Sequence, residues 1–198
     1  HFRAHGYHTA SLGKIYHHGH DDPKGWRQRP RVGRPMYADE ATNRRRRQRM
    51  AEAREKGLTG WRRHNYAAGP STECLDVPDD TYGDGAITDA ALRILRERKD
   101  DPFFLAVGYR KPHLPFVAPK RYWDLYDRSA IPLPAAEEPD GAPSLAFTNW
   151  GELRAYSDMP QQGDLDAATT RRLIHGYWAC VSYVDRQIGR LLDALKTL

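Results

Sequence analysis

The sequence predicts an α/β fold, a sheet flanked by helices, and three stretches carry that prediction. Phe103 to Tyr109 runs without a charge between Asp101-Pro102 and Lys111-Pro112, the pattern of a strand buried on both faces. Directly before it, Asp84 to Lys99 sets Ile87, Ala91, Ile94 and Leu95 on one helical face with charges opposite. Near the end, Asp166 to Lys196 repeats Leu173, Ile174, Tyr177, Trp178, Val181, Val184, Ile188, Leu191, Leu192 and Leu195 at helical spacing. Such a stripe reads as core packing. Helix, short turn and buried strand in succession favour a sheet over a helical bundle.

A chain of 198 residues can bury a core as one domain, and neither an internal repeat nor a second domain is visible. The net charge of +5 favours anionic partners only weakly, because much of it sits in Arg44-Arg45-Arg46-Arg47 with Arg49 and Arg54. Cys74 and Cys180 make neither a disulfide framework nor a zinc spacing. No apolar run is long enough to span a membrane, and no signal peptide or initiator methionine is present. The chain opens and closes inside helical patterns, so it reads as an internal piece of a longer protein, and its location stays open.

His1 to His5 reads as a last helical turn capped by Gly6, and Tyr7 to Leu12 as a short strand. Gly13 then lets the backbone turn sharply and brings Lys14 close to a ligand. Lys14 and His17 are three apart and share one side if that turn is helical. The histidines between His8 and His20 match no zinc pattern and are set aside as a metal site. Asp21 to Tyr37 reads as loop. Asp39 to Lys56, acidic at its start and ending before Gly57, reads as a helix with almost no apolar stripe. Its arginines lack interleaved aromatic rings, so a solvated surface helix is preferred to a nucleic-acid patch.

Gly57 to Tyr82 reads as loop pinned by Trp61 and Tyr66, with Leu75 to Asp80 as a turn into the next helix. After the central strand, Pro119 to Asp127 is a short aromatic helix or turn. Ile131 to Pro160, with five prolines, wraps over other structure. Ser182, Asp185 and Gln187 are expected to bond locally along the last helix.

Two clusters carry chemistry. Gly13-Lys14-Ile15-Tyr16-His17 and Tyr109-Arg110-Lys111-Pro112-His113 each follow a strand and set a cation beside an imidazole. If the strands share a parallel sheet, both clusters open on one edge, where α/β sheets bind ligands. Fixed positive charge suits an oxyanion, and imidazoles near neutrality suit proton transfer. Transfer at a sulfate or phosphate ester is the preferred chemistry, since G-x-S-x-G, G-x-x-x-x-G-K-[ST] and G-x-G-x-x-G are all missing.

Residues 6–17, GYHTASLGKIYH, resemble the second signature of the sulfatases. GYRKPHLPF at 108–116 is similar to a segment carrying a catalytic histidine in enzymes of the iduronate 2-sulfatase type. SYVDRQIGRLL at 182–192 and LDVP at 75–78 are similar to theirs as well, in the same order. The resemblance is weakest at residues 27–71, which reads as an insertion bearing the exposed Arg-rich helix.

That resemblance implies an alkaline-phosphatase-like fold, of which residues 1–198 form one partial catalytic domain. It also implies hydrolysis of sulfate esters with a formylglycine and a calcium ion. Carried over by motif, Lys14 binds the sulfate, His17 takes a proton when sulfate is expelled, and His113 contacts the ester oxygen and protonates the leaving alcohol. Lys111 is a further candidate for substrate contact, while Arg110 and His18 are rim or structural. Sulfated carbohydrate is the implied substrate and export the implied destination. The C/S-x-P-x-R motif that yields formylglycine is missing, as are the paired aspartates of the calcium site, so no metal ligand is assigned here. The nucleophile and calcium ligands are expected elsewhere in the parent, and the 198 residues alone are expected to be inactive. A phosphate or phosphonate esterase of the same superfamily, and a non-catalytic polyanion binder using Arg44 to Arg54, are the alternatives.

Overall fold

The computed structural model of the chain describes residues 1–17, 19–135, 137, 139–147 and 151–198. His18 therefore lies outside the described residues. Two short parallel sheets form the frame. In the first, β1 (His8–Gly13) pairs with β3 (Phe103–Gly108), and Gly13 stands opposite Gly108. In the second, β2 (Thr72–Leu75) pairs with β4 (Phe116–Pro119). Helices α1 (Glu40–Glu55), α2 (Gly60–Tyr66) and α3 (Gly83–Arg98) lie between the strands, and α4 (Lys120–Trp123) and α5 (Ala167–Thr197) follow β4.

Parallel strands need a long crossover, and α3 supplies its last leg. Its Ile87, Ala90, Ala91 and Ile94 pack on Ala10 and Leu12 of β1, as the helical periodicity predicts. A second core gathers Tyr37, Tyr82, Val117, Trp123 and Tyr183 around β4. The turn at Phe2–His5 ends on Gly6 at φ 86°, the left-handed cap expected of it. Asp39 caps α1 by accepting from the Thr42 amide.

Four expectations need correction. First, β3 is not buried on both faces. Leu105 and Val107 pack toward α3, but Phe104, on the other face by alternation, is 37% exposed. It stacks against Phe2 and Trp26, at ring-centroid distances of 4.3 and 5.7 Å.

Second, most of the α5 stripe is not core. Tyr177, Val181, Ile188, Leu192 and Leu195 are exposed, whereas Leu173, His175, Gly176, Ala179, Cys180, Tyr183 and Gln187 are buried. The reason is close approach: a Cβ on Gly176 would stand 2.8 Å from the Phe116 and Trp123 side chains, so α5 meets β4 through its smallest residues.

Third, the stretch read as loop between Gly57 and Tyr82 contains α2 and β2. Trp61 is exposed and pins nothing. Tyr66 does pin, accepting from Lys56 Nζ at 2.9 Å beneath the Arg49 guanidinium. Fourth, Ser182 bonds across the fold, to the Tyr126 hydroxyl at 2.6 Å, whereas Gln187 bonds both ways: its Oε1 accepts locally from Arg190 at 2.9 Å, as expected, and its Nε2 donates across the fold to Asp79 Oδ2 at 3.0 Å.

The proline-rich wrap is tied down by Asp158. Its carboxylate accepts from the Ser71 amide at 2.7 Å, the Ser71 hydroxyl at 2.9 Å and Arg172 at 2.5 Å. Burial pushes the Asp158 carboxyl up, but those donors outweigh it and hold the group below the ordinary aspartate range.

Candidate functional site

The site begins where β1 and β3 leave their sheet together. The Lys14 amide donates to the Gly108 carbonyl at 2.9 Å, so the two exits are stitched to each other. Neither position admits a side chain. A Cβ on Gly13 would stand 1.9 Å from the Gly108 oxygen, and one on Gly108 would stand 2.0 Å from the Lys14 oxygen. Gly13 also sits at φ +71°, in the left-handed region. Both clusters therefore open on one edge of one parallel sheet.

That edge floors a cleft of about 1010 Å³, lined by Lys14, His17, Arg110 and Lys111 among others. Lys14 and His17 are exposed to it, although the chain between them bends at residues 15 and 16 and forms no helical turn. The glycine turn, more than three-residue spacing, is what sets Lys14 at the cleft. Arg110 is exposed at the cleft as well.

Lys111 differs from its sequence reading. It is 9% exposed, and its ammonium donates to the carbonyls of His113 at 2.9 Å and Pro115 at 2.5 Å. Burial pushes it below the ordinary lysine range. With two of its three donors spent on backbone, this lysine braces the 113–115 segment and is not poised for substrate.

His113 stands apart from the cleft lining. Its side chain is 58% exposed, with Nε2 3.6 Å from a Glu152 carboxylate oxygen and Nδ1 2.8 Å from the Leu114 carbonyl. The structure thus brings Lys14, His17, Arg110 and Lys111 together and leaves His113 beside them on the braced segment. The brace explains this: Arg110 and Lys111 amides are held on one side, and carbonyls 113 and 115 on the other.

Asp84 holds the first of those sides and escaped the sequence reading. It is 4% exposed, and its carboxylate accepts from the Arg110 amide at 3.0 Å and the Lys111 amide at 2.8 Å. The only signal was an acid in the first turn of the helix preceding the central strand, which also fits an ordinary dipole complement.

The cleft is strongly cationic. Eight lysine and arginine residues line it against two aspartates, Asp21 and Asp84. Five of the eight, Arg29, Arg34, Arg46, Arg47 and Arg54, come from the region read as loop and solvated helix. One face of α1 therefore walls the cleft, while the helix stays largely exposed, as expected, with only Thr42, Asn43 and Ala53 buried among its described residues.

The described residues hold no group of three or more His, Cys, Asp or Glu that could bind a metal ion. Cys74 is exposed, and Cys180 is buried with its thiol pushed up to about 12 by burial. Neither begins a C-x-P-x-R sequence. The residues present thus fit neither a calcium site nor a formylglycine.

A family model described as Sulfatase matches residues 1–198. Iduronate 2-sulfatase of Homo sapiens is 35% identical over 213 residues, covering 100% of this chain and 36% of that protein. The Mus musculus iduronate 2-sulfatase is 33% identical with the same coverage. A sulfatase of Formosa agariphila is 28% identical over 207 residues, covering 98% of this chain and 37% of that protein. The chain spans just over a third of the length of these relatives.

Proposed function

This chain belongs to the sulfatase family, with its alkaline-phosphatase-like fold, and on that footing we propose that the whole protein hydrolyses sulfate esters of carbohydrates. The observation that supports this best is the glycine-locked exit of β1, which presents Lys14 and His17 to a cationic cleft. A lysine ammonium is a compact point charge suited to one sulfate group. His17 beside it is suited to moving a proton at the sulfate end, and a preorganised cation there stabilises charge developing on the ester.

His113 is assigned to the leaving group, where its imidazole donates a proton to the departing alcohol. Glu152 at 3.6 Å is placed to orient that ring. Lys111 shapes the segment that carries His113. Formylglycine and calcium are implied by the family and are assigned to the parent outside these residues, so no step here runs through them. Residues 27–71 are taken as an insertion in this lineage. Export is inferred from the family alone; no described helix is long and apolar enough to cross a membrane.

The test is turnover of an aryl sulfate against the matching aryl phosphate by the full-length parent. Preference for sulfate is expected. Preference for phosphate would overturn the reading in favour of a phosphate or phosphonate esterase, which the same cationic cleft could serve.

A further inference from the structure

We infer that the α1 wall is a second anion subsite, which binds a carboxylate or an additional sulfate on the substrate beyond the group held at Lys14. This deepens the sulfate-ester reading and rests on it. The facing residues are Asn43, Arg46, Arg47, Met50, Ala51 and Arg54, spaced three and four apart on one side of the helix.

The helix is fastened in that position. The buried Glu73 carboxylate of β2 accepts from the Ala38 amide at 2.6 Å, the Asp39 amide at 3.1 Å and the Tyr82 hydroxyl at 2.7 Å. Asn43 Nδ2 donates to the Tyr37 carbonyl at 2.6 Å, one turn before Arg46. A buried carboxylate spent on the entry to α1 fixes the arginine face against the cleft.

The charges around that face are not all balanced among the described residues. Arg47 pairs with Glu40, Arg29 with Asp21, and Arg34 donates to the Asp80 carbonyl at 2.8 Å. Asp84 is spent on backbone amides. The side chains of Lys14, Arg54 and Arg110 have no hydrogen bond or ion pair among the described residues. Arg46 lies over the Tyr37 ring at 5.5 Å, and its Nε is buried without a partner.

A buried donor left unpaired and several unpaired cations around one cleft are relieved by anions. A single sulfate at Lys14 cannot satisfy them all, and the cleft of about 1010 Å³ is large enough for more than a monosaccharide ester's reacting end. Planar guanidinium forks match carboxylate and sulfate oxygens.

The experiment compares calorimetric binding by the full-length parent of three probes: 4-nitrophenyl sulfate, a sulfated disaccharide carrying a carboxylate, and one carrying a second sulfate. The disaccharides should bind more tightly, and Arg46→Ala and Arg54→Glu should each narrow that margin by about tenfold, the loss of one charge-assisted hydrogen bond. The arm that loses more identifies the group bound. Arg54→Glu, at an exposed position, decides the matter if Arg46→Ala does not fold. A margin unchanged by both variants that fold overturns the subsite. Turnover read on the same samples is separate: absence of any sulfate-ester hydrolysis overturns the sulfatase reading, while the binding margin still decides the subsite.

Discussion

The exits of β1 and β3 look alike in sequence, a glycine followed within three residues by a lysine, and they end in opposite uses of that lysine. Lys14 extends into the cleft with its ammonium unpaired among the described residues. Lys111 is buried with its ammonium on two carbonyls. What separates them is the next few residues. After β1 the chain bends at residues 15 and 16 and brings no carbonyl back to the Lys14 ammonium among the described residues. After β3 it folds back, so that carbonyls 113 and 115 arrive at the ammonium while Asp84 holds amides 110 and 111. One exit presents its lysine to the cleft, and the other spends its lysine on its own backbone.

The largest expected effect breaks both exits at once. Gly108→Ala places a methyl 2.0 Å from the Lys14 carbonyl, and because backbone is the obstacle the strands must part. A loss of about 4 kcal/mol or more is expected, read as failure to recover folded protein or a collapsed denaturation midpoint. Lys111→Met sharpens the comparison: it leaves two carbonyls without their donor and should cost about 2–3 kcal/mol. Lys14→Met should change stability by no more than about 0.5 kcal/mol, as an exposed substitution does. Equal costs for the two lysines in urea denaturation would erase the distinction.

Asp84→Ala comes next, at about 2 kcal/mol, because it strips the acceptor from two backbone amides. Hydrogen exchange at Arg110 and Lys111 should accelerate in that variant and stay unchanged at Lys14. The smallest effect is a control away from both exits. Asp158 has a depressed pKa, so its contribution is present above the ordinary value of 3.8 and is lost as pH falls through the lower folded value. Asp158→Asn should lower stability at neutral pH and flatten the acid side of the stability curve. An unchanged acid slope would show that Arg172 and Ser71 do not hold the carboxylate ionised.

The long elements were legible in the sequence because period and length agree. α1, α3 and α5 have caps or repeating faces, and β1 and β3 are bounded by glycine or proline. β2 and β4 span four residues each, too few to show a period, and they exist because they pair with each other. On α5 the helix was legible and its buried face was not. Close packing selected Gly176, Ala179 and Cys180 beside Leu173 and Tyr183, and left Tyr177, Val181, Ile188, Leu192 and Leu195 outward.

The site shows the same division. Lys14 and His17 were legible as a strand-end cluster because a glycine turn is a local feature. The roles of Lys111 and Asp84 depend on contacts across the segments 84, 110–111 and 113–115, which spacing does not encode. The arginines of α1 read as solvated because no apolar stripe announced a packed face. The position of the helix against the cleft comes from Glu73 and Tyr37 instead, which anchor its entry and Asn43 from well outside the helical pattern.

The central claim is that Lys14, and not Lys111, holds the anion. The direct measurement is kcat/KM for an aryl sulfate in the full-length parent carrying Lys14→Ala, with folding checked by denaturation. A loss of roughly 10²–10³-fold with stability intact is expected, the scale for removing one preorganised charge donor. Wild-type kcat/KM in a folded Lys14→Ala protein would contradict it.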